Sequence, residues 1–229
     1  MNHVLTEPMF YIFFVYSASF LLMSFVVFHG IRRASSIAFV NTFYMLVGFG
    51  LVHGITELID WLRFILKATG AGESVVLLIL SESCLITSFV LLFQFGVTLL
   101  TYKSDKKNIY RSLTVLIYLA YAAYILVIEP TSISLAGSRP IARHTLGFPG
   151  SLLSGLAFFS LADSMKIMGH PRLIRALVIT GIGFVCYAVF GGLIVEPIAG
   201  VPVQLFRAAC AVTIAVYSFA ILDIFKVSE

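Results

Sequence analysis

The stretch Phe20-Leu21-Leu22-Met23-Ser24-Phe25-Val26-Val27-Phe28 decides the fold class. It carries no charge and does not alternate apolar with polar residues. A strand of a membrane barrel alternates its two faces at every residue, so this run reads as helix. It belongs to a longer apolar stretch, about 9–28, of the length a helix needs to cross a bilayer core. Six more follow at about 37–59, 74–100, 113–128, 145–165, 174–194 and 203–222. Of the 229 residues, 60% are hydrophobic and 11% charged, against about a quarter charged in a soluble domain. Mean hydropathy is +1.03. No soluble fold of this length hides that much apolar surface. The expectation is an all-α membrane protein, a bundle of seven transmembrane helices in one domain over 1–229. A cytosolic enzyme, a disordered tail and a disulfide-built secreted scaffold are excluded.

The net charge of +4 is no sign of nucleic-acid binding, because the basic residues sort by connection. Ten fall on one side: Arg32, Arg33, Lys103, Lys106, Lys107, Arg111, Lys166, Arg172, Arg175 and Lys226. Arg63, Lys67, Arg139 and Arg143, four in number, fall on the other, and Arg207 lies within the last stretch. The positive-inside rule then places the N-terminus outside and the C-terminus inside. Met1–Met9 holds Glu7 and no Lys or Arg, so the first stretch does not read as a cleaved signal peptide. Cys84, Cys186 and Cys210 fall in the apolar stretches and read as packing residues.

Ionisable residues inside a bilayer are expensive and therefore informative. His53, Glu57 and Asp60 stand at i, i+4 and i+7, on one face of the outer half of the second stretch. Glu82 is eight residues into the third, about 12 Å deep at ~1.5 Å per residue. Arg143 and His144 stand at the entrance of the fifth, and Gln204 and Arg207 occupy the first two turns of the seventh. The loop residues Glu129, Arg139 and Glu196 share that side. The inner half keeps chiefly Asn41, Gln94 and Asp163. A mixed-sign cluster at one depth can be a structural ion-pair network, or it can line a cavity open to the outside that takes a ligand, cofactor or ion.

His53 precedes Gly54, which lets something approach the helix closely. A buried His is usually a hydrogen-bonded packing residue, but neutral imidazole is also the common axial ligand of haem iron. His144 at a helix end and His29 and His170 beside basic neighbours read as interfacial. Arg207 needs a partner, for which Glu57, Glu82 or an anionic group of a ligand would serve. Gly147-Phe148-Pro149-Gly150 should open the fifth helix locally, and 196–202 reads as a tight loop. The boundary aromatics Tyr11, Tyr44, Trp61, Tyr102, Tyr110 and Tyr217 fit an interfacial belt.

Seven helices invite comparison with rhodopsins. A retinal Schiff base needs a lysine within a helix, and the lysines at 67, 103, 106, 107, 166 and 226 read as loop or tail residues. No retinal is expected. There is no internal repeat of the transporter kind, and no hydrolase, metalloprotease or P-loop motif.

Three stretches resemble the seven-helix sensor region at the N-terminus of bacterial membrane histidine kinases and diguanylate cyclases. They are Gly50-Leu51-Val52-His53-Gly54-Ile55-Thr56-Glu57, Arg143-His144-Thr145-Leu146-Gly147-Phe148-Pro149-Gly150 and Gly200-Val201-Pro202-Val203-Gln204-Leu205-Phe206-Arg207-Ala208. Two positions depart from the pattern: Thr56 stands where many relatives have a second His, and His144 where they have an aromatic. The relatives continue into a coiled coil and an output domain, whereas this sequence closes on Ile224-Phe225-Lys226-Val227-Ser228-Glu229. The resemblance implies a prokaryotic cytoplasmic membrane and an input module working as a homodimer, with either the output domain absent or a separate cytoplasmic signalling or redox partner.

The resulting expectation is a sensor that binds haem b or a small ligand in its outer half and passes a change along the seventh helix. His53, with His144 as a second candidate, would ligate the iron, Arg143, Gln204 and Arg207 would hold anionic groups, and Glu57 would orient His53 or Arg207. A haem protein passing electrons to a quinone is the alternative. A proton or ion pathway through Glu57, Asp60 and Glu82 is the third.

Overall fold

A computed structural model describes residues 7–34, 39–72, 74–102, 104, 108–109, 112, 114–116, 118–120, 123 and 135–225. Most of the stretch 113–128 lies outside the described residues, as do Glu129, Lys103, Lys106, Lys107, Arg111 and Lys226. The described elements are α-helices: α1 (Pro8–Arg33), α2 (Phe43–Ala68), α3 (Val75–Leu100), α4 (Leu135–Ala142), α5 (Phe148–Met165), α6 (Pro171–Tyr187) and α7 (Val203–Ile224). A π-turn, Arg143–Gly147, joins α4 to α5, and a second, Ala188–Leu193, extends α6. Among the described residues six spans are long and apolar enough to cross a membrane: Pro8–Arg33, Val40–Ala68, Val75–Leu100, Arg139–Met165, Pro171–Leu193 and Val203–Ile224. The chain has the make-up of a multi-pass helical membrane protein.

Several helices run past the ends that hydropathy predicts. α2 continues from Ile59 to Ala68, so Arg63 and Lys67 are helical rather than loop residues. Charge ends an apolar count, but it does not end a helix. Arg63 pairs with Asp60 three residues back at 3.0 Å, and Lys67 sits in the last turn, where the helix dipole favours a cation. Arg139, too, is helical and begins the span that holds α5. Pro149 has no N–H to give the Thr145 carbonyl, and the backbone widens into the π-turn just before it.

The helices form a closed ring in which α1 packs on α2, α2 on α3, α3 on α5, α5 on α6, α6 on α7 and α7 on α1. α1, α3, α4 and α7 begin, and α2 and α6 finish, at one end, called the cleft end below. At the far end Phe43, Phe95, Phe158 and Phe184 fill the centre with ring centroids 5.6 to 6.0 Å apart. Buried hydroxyls near them bond to carbonyls of their own helices, as Ser154 does to Gly150 and Thr180 to Ala176. Large apolar side chains such as Phe25, Val76, Ile79 and Val216 point outward, as lipid contact requires.

Candidate ligand cleft and its buried histidine

His53 sits at the centre of the ring with no exposed surface. The Ser88 hydroxyl donates to the Leu85 carbonyl at 2.7 Å, which leaves its oxygen to accept from Nδ1–H of His53 at 3.0 Å. Nε2 then carries a lone pair. The hydroxyls of Tyr16 and Tyr187 both lie 3.1 Å from it. Phe20, Phe49 and Phe89 stand around the imidazole with centroids 4.5, 5.3 and 5.6 Å away. The close approach that Gly54 permits is made by α1: the Ser17 hydroxyl donates to the Gly54 carbonyl at 2.9 Å. A Cβ on Gly54 would come within 2.7 Å of Leu21.

These residues do not fit a haem at His53. Both ring nitrogens have hydrogen-bond partners and aromatic side chains crowd the ring. His144 is exposed beside its own helix, with Nδ1 2.5 Å from the Pro140 carbonyl. It does not share the site with His53. The electron-transfer alternative rests on the same iron and loses its support here. Beyond His53, among the described residues, phenylalanines fill the centre and the buried hydroxyls of Ser154 and Thr180 bond to carbonyls of their own helices.

One helical turn toward the cleft end, the polar character changes from neutral to charged. Arg139 donates Nη1 and Nη2 to the two oxygens of Asp60 at 2.6 and 2.9 Å, and Nε to Glu82. Ser81 donates to Asp60 at 2.7 Å. The predicted cluster therefore forms, but its organiser is Arg139, which reads as a loop residue in the sequence. Glu57 is buried, with Oε1 3.8 Å from His53 Nε2, beyond hydrogen-bond range. Glu196 is exposed.

Arg143 and Arg207 take partners that were not expected. Arg207 donates Nε to the Phe190 carbonyl at 2.6 Å and Nη2 to that of Ile194 at 2.9 Å. Arg143 donates Nη1 to the Gly191 carbonyl at 3.0 Å. All three carbonyls lie in or just after the π-turn of α6, so both guanidiniums hold neutral groups rather than Glu57 or Glu82. Beside them opens a cavity of about 300 Å³. Glu57, Asp60, Arg139, Arg143, Gln204 and Arg207 line it, with Arg63 and Lys67 toward the mouth and Phe13 and Phe64 as aromatic walls.

No family model, curated protein or solved structure matches the chain.

What the cleft can do follows from its charges. Its lining holds five cations, Arg63, Lys67, Arg139, Arg143 and Arg207, against two carboxylates, Glu57 and Asp60. Glu82, bound to Arg139, raises the acidic side to three and still leaves an excess of two cations. An anion gains from this field, and more so in surroundings of low dielectric.

Tyr16, Tyr187 and Ser88 completed the histidine site without a signal from charge. A weaker signal was available. Tyr16 shares its helix face with Phe20, Met23 and Val27, spaced i, i+4, i+7 and i+11, so it lies on the core stripe rather than in the boundary belt.

Proposed function

We propose that the chain is the input module of a membrane signalling system. It takes a small anionic ligand in the cleft and passes a change along α7. The carrying observation is the double role of Arg207. It lines the cavity, and it ties the start of α7 to the end of α6 through two carbonyls. A ligand that engages this guanidinium competes with those carbonyls and biases how α6 and α7 sit together. α7 then runs 22 residues toward the far end.

In this reading seven helices cross the membrane, with the N-terminus and the cleft outside and the C-terminus inside. Two observations support it. Along the sequence ten Lys and Arg fall in the connections and tail assigned to the side of the C-terminus against four in those assigned to the other, in keeping with the positive-inside rule. α3 and α5 run parallel, since Glu82 meets Arg139, Phe89 meets Gly147 and Phe95 meets Phe158 in the same order. The described residues thus leave Leu100 at the far end and Leu135 at the cleft end, as a seventh crossing between them requires. The resemblance to histidine-kinase and cyclase input regions adds a prokaryotic cytoplasmic membrane, a homodimer and a separate cytoplasmic partner.

The test is a distance measurement on the full chain in nanodiscs. Spin labels go on Leu100 of α3 and Asp223 of α7, which face across the ring, with Cys84, Cys186 and Cys210 replaced by Ala. Acetate, inorganic phosphate and dodecanoate are added in turn. A shift of the distance distribution with any of them, lost in Arg207→Gln, supports the module. An unchanged distribution at saturation with all three overturns it.

A further inference from the structure

A second cavity, of about 280 Å³, lies on the other side of the same arginines. It shares Arg139, Arg143, Gln204 and Arg207 with the first, so these residues form a common wall. The remaining linings differ in kind. The first cavity adds Glu57, Asp60, Arg63 and Lys67. The second adds Pro140, Val195 and Val203 and no further charge. Of its lining Val195 is 50% exposed, and Leu193, Val201 and Leu205, near Val195 or Val203 in sequence, are 45%, 39% and 38% exposed, a rim largely apolar but for exposed Glu196 at the end of a transmembrane bundle. Such a rim faces hydrocarbon or its boundary with the headgroups. α7 begins here, at Val203, with no side-chain cap on its first turn, and its dipole adds positive potential at the common wall.

We infer that the ligand of this cleft is an anionic amphiphile: an acid head held at Arg143 and Arg207, and an acyl tail lying in the Pro140–Val195–Val203 cavity toward the lipid. The inference rests on the input-module reading for its consequence but not for its binding chemistry. A carboxylate and a phosphate both suit a pair of guanidiniums whose hydrogen-bond acceptors are neutral carbonyls, in a cavity whose lining holds more cations than carboxylates. A small hydrophilic anion would use the shared arginines alone and would leave the Pro140, Val195 and Val203 side of the second cavity without a role. Tail methylenes of a free acid placed against Pro140, Val195 and Val203 leave water, so affinity rises with chain length. The acid can come from the free pool or from an anionic phospholipid of the bilayer.

The experiment uses the full chain in phosphatidylcholine nanodiscs, with empty discs as the partition blank. Dodecanoate, acetate, inorganic phosphate and dodecanol are titrated calorimetrically. One dodecanoate per chain is expected, with acetate, phosphate and dodecanol each at least about a hundredfold weaker. Arg143→Gln and Arg207→Gln should each weaken dodecanoate about tenfold. Val195→Asn, at an exposed position that folding does not depend on, should weaken dodecanoate about tenfold and leave phosphate unchanged. In phosphatidylglycerol discs, a drop in dodecanoate affinity with one phosphatidylglycerol retained per chain by native mass spectrometry assigns the site to the lipid. An unchanged dodecanoate affinity there assigns it to the free acid, and both results uphold the inference. It is overturned if acetate or phosphate binds as tightly as dodecanoate, if dodecanol does, or if nothing binds above the blank and no phosphatidylglycerol is retained. Dodecanoate binding without movement of α7 removes the input module and leaves this inference standing. Movement of α7 with phosphate bound as tightly as dodecanoate does the reverse.

Discussion

Tyr16 and Tyr187 belong to α1 and α6, helices separated in the ring by α7, yet both hydroxyls lie 3.1 Å from the same nitrogen of His53. Nε2 has one lone pair, so one hydroxyl donates to it while the other stands in reserve. Tyr16→Phe or Tyr187→Phe alone should therefore lower stability by only about 0.5 kcal/mol, because the remaining tyrosine serves the nitrogen. The double variant should lose about 2 kcal/mol, leaving a buried lone pair without a donor. Thermal unfolding in detergent, run as a double-mutant cycle, reads this directly. Additive losses would show that the two hydroxyls act independently.

Arg207 should resist replacement by lysine. A single ammonium cannot reproduce the fork that reaches Phe190 and Ile194 together. Arg207→Lys is expected to cost about 2 kcal/mol, in the range for hydrogen bonds to a charged donor. It should also raise amide exchange selectively over 188–194. Exchange unchanged in that segment would remove the clasp from the account of α6.

Arg139 is the shared counter-ion of Asp60 and Glu82, both of which are buried. Arg139→Gln leaves Asp60 with Arg63 and Ser81, takes the guanidinium from buried Glu82, and should destabilise the protein by about 3 kcal/mol, the low end for a broken buried pair, since the arginine is 22% exposed. Adding Glu82→Gln to that variant should recover part of the loss. Unfolding midpoints of the single and double variants decide it, and a double variant worse than the single one would exclude the network as drawn.

Gly192 and Gly70 call for glycine for opposite reasons. A Cβ on Gly192 would meet Phe148 Cβ and Cα at 2.5 and 2.7 Å, so the backbones of α5 and the π-turn must part. Gly70 has open space around it but a φ of +79°. Gly192→Ala should cost about 3 kcal/mol through overpacking, and Gly70→Ala about 1 kcal/mol through strain alone. Comparing their unfolding midpoints tests the ranking.

The charged half of the site was legible in the sequence, because charges inside apolar stretches are rare enough to notice. Glu57, Asp60, Glu82, Arg143, Gln204 and Arg207 were all selected from spacing and depth, and all but Glu82 line the cleft. Arg139 was misplaced because a hydropathy window stops at charge, whereas the helix continues through it. The neutral half was barely visible. A tyrosine or serine on a core stripe looks like its many counterparts that satisfy themselves within their own helix, as Thr180 does.

Composition and run length determined that the chain lives in a membrane as helices, because a backbone in hydrocarbon must satisfy its own hydrogen bonds whatever its neighbours are. Tertiary structure decided the partners. Sequence suggested that Arg207 would find a carboxylate or an anionic group of a ligand, since charge is what a sequence displays. It finds carbonyls instead, because α6 unwinds into a π-turn beside it and presents backbone acceptors that carry no side-chain signature. Likewise Gly54 receives α1 rather than a cofactor, and His53 receives hydroxyls from three other helices. Those partners lie 35, 37 and 134 residues away along the chain, and only closure of the ring brings them within reach of one imidazole.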